Sequence, residues 1–265
     1  MSNVFAVITV MVGLAITLSI YLDNFELPNL IWTFTRQDSR SYYFAGNEAI
    51  VRTRSFFSEP AHLGYYLNII FFSNVFYHRA KTKKTVLFIL ALGIMLTLSY
   101  SMIIIFTVTC LTLVISRIIN GNFSWSYWYL AVVFMLGSIM LYFWDFIDVT
   151  IIERTKDIIS GEDGSANIRL LGTWIYVDKE RLLYGNGIGH TPPITNIYAY
   201  VMSDFGLIGF IPYIGLSAYV ILNSIPAAIL FITMNMAKGG YLNPAFWLFL
   251  LFVFLYAIIP SIKEK

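Results

Sequence analysis

The chain has 265 residues, of which 58% are hydrophobic and only 12% are charged, and its formal net charge is +2. A soluble globular domain carries about 25% charged residues, so this composition excludes an ordinary soluble fold and indicates an integral membrane protein. The small net charge gives no reason to expect a nucleic acid as partner. The single cysteine, Cys110, excludes an intrachain disulfide and a cysteine metal cluster.

Apolar segments without any Asp, Glu, Lys, Arg or His recur along the chain. Each is a candidate membrane span, because about 20 apolar residues cross the hydrocarbon core. The first has neither a basic stretch before it nor a clear cleavage site, so we interpret it as a retained span rather than a signal peptide. The candidate spans are 4–20, 63–77, 85–98, 102–116, 126–144, 205–236 and 244–259.

The stretch 85–116 can form either one span or two. As a single helix its 32 residues would extend about 48 Å, which is too long for one crossing. The hydroxyl groups of Thr97, Ser99 and Ser101 can satisfy backbone groups at a tight turn. We therefore predict two short spans with a reversal between them.

The distribution of charge supports this reversal. With two spans there, six basic residues and no acidic one fall on one face, which the positive-inside rule identifies as cytoplasmic. The sequence therefore predicts an all-α membrane protein, a single polytopic domain of about seven transmembrane helices with its N-terminus inside. Lys263 and Lys265 would then lie outside, a mild conflict with the rule. The six basic residues are Arg79, Lys81, Lys83, Lys84, Arg117 and Lys238.

Two polar segments, 21–62 and 145–196, are then extracytoplasmic loops, and their basic residues are mostly arginine. A guanidinium group can bind phosphate or carboxylate through two parallel hydrogen bonds, so we expect an anionic ligand near the lipid headgroups. The alternative is that each arginine pairs with a nearby carboxylate or a lipid phosphate. These arginines are Arg36, Arg40, Arg52, Arg54, Arg154, Arg169 and Arg181.

The first polar loop ends in RTRSFFSEPAH at 52–62. Proline suits the first helical turn, so we predict a helix that begins near Pro60, with Ser58 or Glu59 as its cap. The N–H groups of that helix end, together with Arg52 and Arg54, form a candidate phosphate or pyrophosphate cradle.

Glu59, His62 and Tyr66 follow at helical spacing, so they can share one face at the membrane border. That face is a candidate for proton transfer. The alternative is that Glu59 only caps the helix and pairs with an arginine.

The second polar loop contains apolar residues at helical spacing, at 168, 171, 175 and 182. This pattern predicts an amphipathic helix at the membrane interface, with Arg169 directed into a polar cleft. Gly185, Gly187 and Gly189 indicate backbone turns, and no strand precedes them as a nucleotide-binding loop would require. We expect the segment around Asp204 and Gly206 to end a short helix before the long span, which Pro212 and Pro226 can kink.

Four motifs occur in order between Arg52 and Gly209. They are RSFFSEPAH at 54–62, LTLSYS at 96–101, SANIR at 165–169 with YGNGIG at 184–189, and NIYAYVMSDFGLIG at 196–209. Together they resemble the Wzy-type polymerases of bacterial O-antigen and capsular polysaccharide, which belong to the O-antigen ligase superfamily. Members of that family usually have ten or more spans, so the chain resembles an N-terminally shortened form. Thr195 stands where the ligases carry a histidine, which favours polymerase over ligase.

The resemblance implies glycosyl transfer at the outer leaflet of the bacterial plasma membrane. A growing glycan on polyprenyl pyrophosphate would be joined to a lipid-linked repeat unit, giving O-antigen, capsule or exopolysaccharide. Pyrophosphate is a good leaving group once the protein stabilises its negative charge. The candidate pyrophosphate-binding residues are Arg52, Arg54, Arg169 and Arg181. Glu59 and His62 are the candidate catalytic bases. Further candidates for the cleft are Tyr66, His190, Asn196 and Asp204.

The sequence has no Asp-x-Asp pair and no histidine cluster, so we expect neither a metal nor another cofactor. The expected partners are the lipid-linked oligosaccharide and membrane lipids, with the flippase and chain-length regulator of the same pathway as further candidates. The alternative functions are an O-antigen ligase, a transporter or flippase of lipid-linked saccharides, and an inactive structural fragment. A transporter commonly places ionisable residues at membrane depth, and the candidate spans contain none.

Overall fold

In the computed structural model the described residues form two compact units, Met1–Thr107 with Phe249–Lys265 and Val108–Leu248. The fold is mostly helical, as predicted. The described residues are 2–35, 43–44, 47–76, 83–119, 171–192, 194–238 and 240–255, with a few isolated positions between 156 and 168. The predicted span 126–144 lies outside them. The elements are α1 Ser2–Tyr21, α2 Glu26–Thr35, β1 Tyr43–Phe44, β2 Asn47–Val51, α3 Pro60–Phe76, α4 Lys84–Leu96, α5 Tyr100–Ile119, α6 Ile197–Asn223, α7 Ile225–Lys238 and α8 Pro244–Val253.

Two of these helices are long and apolar enough to cross a membrane by length and composition: α1 with 20 residues and α6 with 27. Shorter apolar helices accompany them, among them α4, α7 and α8. The described residues thus show two full-length candidate spans, where the sequence predicts about seven.

The structure confirms the predicted break between α4 and α5. The Thr97 hydroxyl donates to the Ile94 carbonyl at 2.6 Å and accepts from the Ser99 amide at 3.3 Å. Leu98 between them has a φ of 46°, in the left-handed region. The Thr97 hydroxyl therefore satisfies backbone groups at this turn, as lipid surroundings would require.

Small residues let the helices of the first unit approach closely. A Cβ added at Gly64 on α3 would lie 2.8 Å from Met102, and one at Gly93 on α4 would lie 2.6 Å from Val10 on α1. Close approach at glycine is the usual way in which apolar helices gain packing contacts in a membrane.

The first polar segment, 21–62, is more ordered than the expected loop. It contains α2 and an antiparallel hairpin of β1 and β2, in which Tyr43 pairs with Val51. Trp32 on α2 is buried with Ile16, Ile20 and Val51 in one apolar cluster. The apolar side of α2 therefore packs onto the end of α1 rather than remaining in solvent.

The apolar stretch 205–236 is not one span, and that prediction is wrong. The chain turns at Ser224, whose carbonyl and hydroxyl accept from the amides of Ala228 (2.9 Å) and Ala227 (3.4 Å). A serine cap followed by Pro226 in the first turn begins a new helix, α7, instead of kinking the old one.

Ring contacts show that α6 and α7 run antiparallel. The Tyr213 and Phe231 ring centroids lie 6.1 Å apart, and those of Phe205 and Tyr241 lie 5.2 Å apart. Lys238 therefore lies at the end of this unit that holds Asp204 and the second polar loop, so its placement on the opposite face was wrong. The C-terminal lysines lie outside the described residues.

This reversal predicts which positions share a side of the membrane. In a Cys110→Ala background, cysteines at His190 and Leu242 should react with an impermeant maleimide from the same side. Ile225→Cys, at the turn, is the control that should not share their labelling. A single span across 205–236 would place Leu242 opposite His190, and that labelling pattern would overturn the hairpin.

Candidate functional site

The residues 51–60, which we call the Arg54 loop, fold into the first unit instead of lying on its surface. The Thr53 amide donates to the Leu96 carbonyl at 3.0 Å, and its hydroxyl lies 3.1 Å from that of Thr17. Gly13 makes room, because a Cβ there would lie 2.6 Å from the Thr53 methyl group. Ser55 is fully buried with a φ of 54°. Such a conformation costs a non-glycine residue about 1–3 kcal/mol, so the surrounding contacts hold it.

Arg54 is the largest buried polar side chain of this loop, with 1% of its surface exposed. Its guanidinium carbon lies 3.9 Å from the centroid of the Trp32 ring, and its Nη1 donates to the Ser58 carbonyl at 3.2 Å. A cation over an indole face is stabilised electrostatically, by about 2 kcal/mol when desolvated. The predicted open cradle is therefore covered by α2, a contact that spacing along the sequence does not reveal.

Arg52 lies nearer the surface of the same loop. It is half-buried, and its Nε donates to the Thr97 carbonyl at 3.4 Å. The turn between α4 and α5 thus positions the first arginine of the motif, and α2 positions the second.

The start of α3 lies at Pro60, as predicted, with the Glu59 carbonyl accepting from the amide of His62 at 3.1 Å. The His62 Nδ1 lies 2.8 Å from the Ser58 hydroxyl, which fixes the plane of the ring. Glu59 is exposed and His62 is half-buried. Tyr66, one turn on, packs against Phe57 with ring centroids 5.6 Å apart.

The second unit contains a buried carboxylate, Asp204, which is 1% exposed. Its Oδ1 accepts from the amide of Thr191 at 3.0 Å and from the Thr191 hydroxyl. Its Oδ2 accepts from the amide of Gly189 at 2.9 Å and from the hydroxyl of Tyr241. We call this arrangement the Asp204 clamp, because it joins the glycine loop, α6 and the α7–α8 connection.

Tyr241 completes the clamp from the connection between α7 and α8. Its hydroxyl also accepts from the Gly189 amide at 3.0 Å. Burial, and the hydrogen bond that the hydroxyl donates to the Asp204 carboxylate, raise the pKa of Tyr241. The Tyr241 hydroxyl therefore stays protonated and can donate its hydrogen bond to Asp204.

The glycines of the second loop adopt turns, as predicted, with φ of 71°, 100° and 72° at Gly185, Gly187 and Gly189. Gly185 also allows a close backbone approach, because a Cβ there would lie 2.5 Å from the Asp204 carbonyl carbon. Opposite it, Gly206 breaks the helical geometry inside α6 with φ 60° and ψ −156°. This break confirms that a short helix ends around Asp204 and Gly206.

The remaining candidates of the second unit have separate positions. Asn196 is buried and caps α6, since its Oδ1 accepts from the amide of Tyr198 at 3.1 Å. His190 is exposed between the two clamped residues Gly189 and Thr191. Arg181 is exposed and lies 3.7 Å from the Asp178 carboxylate. The arginines at 36, 40, 154 and 169 lie outside the described residues, so the role of Arg169 stays a prediction.

The amphipathic helix predicted between 167 and 182 is wrong from Gly172 on, although Asn167 and Ile168 are helical and the Leu171 amide donates to the Asn167 carbonyl at 2.9 Å. A 3-10 turn at Gly172–Tyr176 is followed by extended backbone at Val177. Asp178 then forms its own turn, in which its Oδ1 accepts from the Glu180 amide at 2.8 Å. Aspartate favours such local hydrogen bonds over a continued helix. The chain therefore turns here, although the apolar periodicity predicts a helix.

In the part of the chain that the structure describes, no three His, Cys, Asp or Glu side chains are grouped as a metal site requires. The expectation that no metal is needed stays a prediction.

The fold and these two clusters define a mostly helical protein of apolar helices that buries Arg54 in a loop before α3 and Asp204 beside the break in α6. A family model described as WcaD colanic acid polymerase matches residues 1–189, well over half of the chain. The chain therefore belongs to the WcaD colanic acid polymerase family. This confirms the resemblance to Wzy-type polymerases and identifies a polysaccharide polymerase of the glycosyltransferase type. Comparisons with curated proteins and with solved structures found no match.

The two loop glycines provide a matched test of the Asp204 clamp. Gly187→Ala should cost about 1–2 kcal/mol of stability, the cost of a left-handed conformation for an L residue. Gly185→Ala should cost this amount and about 1–3 kcal/mol more, because its methyl group would collide with the Asp204 backbone. No atom lies within 4 Å of a Cβ at Gly187. Equal losses of thermal stability in detergent would show that the close approach at Gly185 is unimportant.

Proposed function

We propose that this protein polymerises polyprenyl-pyrophosphate-linked oligosaccharide repeat units at the outer leaflet of the bacterial plasma membrane. A hydroxyl oxygen of the acceptor unit attacks the anomeric carbon of the donor glycan. The bond from that carbon to the pyrophosphate oxygen breaks, and polyprenyl pyrophosphate leaves with the electron pair. A base on the protein takes the hydroxyl proton.

The buried guanidinium of Arg54 carries the proposal. A charged side chain inside a unit of apolar helices is expensive, so such groups mark functional sites by default. Here the charge lies at 1% exposure, six residues before α3 begins. Charge interactions are stronger in such a medium than in water. A positive site of this kind suits the charge that develops on a departing pyrophosphate.

The two arginines of the Arg54 loop have different proposed roles. Half-buried Arg52 contacts the pyrophosphate directly. Arg54, covered by Trp32, contributes its positive charge without direct contact. Both are supported by carbonyl oxygens of neighbouring segments, at Thr97 and Ser58. Arg169 and Arg181 remain proposed as further contacts of the donor.

The proposed base lies at the start of α3, and the geometry supports His62 over Glu59. Ser58 fixes the His62 ring through Nδ1, so the orientation of Nε2 is set before a substrate arrives. A base whose geometry is set in advance transfers protons more efficiently than one that must be ordered. Exposed Glu59 has its backbone carbonyl in the first turn of α3, which supports a role in starting that helix.

Proton transfer can be tested with purified protein, a synthetic lipid-pyrophosphate repeat unit and a polymer-length assay. His62→Gln should lower the rate by about 10²–10⁴-fold, the usual loss of a general base. Ser58→Ala should cost less, because it only releases the ring. Glu59→Gln should retain most activity at matched membrane expression. Loss confined to Glu59→Gln would transfer the role of base to Glu59, and no polymer from the wild type would overturn the proposed function.

The Arg54 site can be tested by exchanging one cation for another. Arg54→Lys keeps the charge but loses the planar group over Trp32, so about 2 kcal/mol of stabilisation should be lost. If that stabilisation acts in the transition state, the rate falls about thirtyfold. Lys179→Arg, the converse exchange at an exposed position, is the control and should not change the rate. An unchanged rate in Arg54→Lys would show that the reaction does not need the planar guanidinium group.

A further inference from the structure

Residues 171–188, which we call the interfacial segment, expose apolar side chains although they lie in the longest polar interruption of the chain. The exposed fractions are 71% for Leu171, 77% for Ile175, 60% for Leu183, 62% for Tyr184 and 74% for Ile188. Burying one such side chain is worth about 1.5–3 kcal/mol, so leaving several in water would be costly. A contiguous exposed apolar surface marks an interaction site.

The interfacial segment is attached to the part of α6 that follows the break at Gly206. The carbonyls of Leu182 and Leu183 accept from the amides of Leu207 at 2.8 Å and Ile208 at 3.2 Å. Because α6 breaks at Gly206, these two amides are released from helical hydrogen bonds. The carbonyl groups of the segment accept from them in place of helical carbonyls. The Trp174 ring contacts Phe210 edge-on, with centroids 6.2 Å apart.

The attached part of α6 has the character of a membrane span. It belongs to a 27-residue helix that contains an 18-residue window with a mean hydropathy of 1.9. Ile208 and Ile211 on it are each 64% exposed. The exposed apolar side chains of the segment therefore continue a surface that already suits hydrocarbon, and the bilayer is the occupant that both surfaces share.

The polar groups of the segment are compatible with a weakly hydrated environment. The Tyr176 carbonyl accepts from the Ser203 hydroxyl at 2.7 Å and from the Asn186 amide group at 3.0 Å. The charged residues are confined to one turn, 178–181, where Arg181 lies beside Asp178. Backbone groups that are satisfied within the protein can enter the membrane boundary at little cost.

We propose that the interfacial segment is seated in the bilayer, at the boundary between lipid headgroups and acyl chains. Leu171, Ile175, Leu183 and Ile188 enter the acyl region, and the charged turn stays in water. Half-exposed Trp174 and Tyr176 have the amphipathic rings that membrane proteins place at headgroup level. The Asp204 clamp fixes the glycine end of the segment, so lipid contact and the glycine loop are mechanically connected.

The experiment measures depth by electron paramagnetic resonance in vesicles of phosphatidylethanolamine and phosphatidylglycerol. In a Cys110→Ala background, spin labels at Ile175 and Leu183 are compared with labels at Lys179 and Glu180, four neighbours on the same segment. The collision rates with oxygen, which concentrates in lipid, and with a nickel chelate, which stays in water, give the depth. We expect an oxygen-to-nickel ratio several-fold higher at Ile175 and Leu183 than at Lys179 and Glu180.

Two results would overturn this proposal. Equal nickel accessibility at all four positions would place the segment in water. Protection of Ile175 and Leu183 from both reagents would show that a protein surface, from this chain or another, covers them. The measurement needs no substrate, so it is independent of whether the polymerase reaction is confirmed.

Discussion

The second unit depends on one buried carboxylate that receives four hydrogen bonds. A carboxylate removed from water is stable only when its oxygens are satisfied, and the donors of Asp204 come from the glycine loop and from Tyr241. These partners reach it because the chain breaks at Gly206 and turns at Gly185. The break releases the amides of Leu207 and Ile208, and these in turn hold the interfacial segment. The geometry of this unit thus follows from the requirement to satisfy both oxygens of the buried Asp204 side chain.

The first unit solves the same problem for a cation. Arg54 is buried, and its guanidinium group lies over the face of an indole ring and donates to a backbone carbonyl. Both groups are electron-rich and stabilise a buried cation. The strained backbone at Ser55 is consistent with a loop shaped for this purpose.

Local signals in the sequence predict part of this structure well. Pro60, the hydroxyl turn at 97–99 and the loop glycines each act through their own backbone, and each prediction is confirmed. Competition between local signals explains the failures: the Ser224 cap overrides apolar length in 205–236, and the Asp178 turn overrides periodicity before Leu182. Contacts between distant residues escape sequence reasoning altogether. Trp32 over Arg54 and Tyr241 against Asp204 have no periodic or motif signature, because each joins separate elements.

The turn at Ser224 has a consequence for the order of folding. Because α6 and α7 run antiparallel, Tyr241 returns to Asp204 only after both helices of the hairpin have formed and packed together. A chain that had formed α6 alone would leave the carboxylate short of one donor and the Gly189 amide short of one acceptor. The hydrogen bond between Tyr241 and Asp204 therefore couples the packing of the hairpin to the closure of the glycine loop.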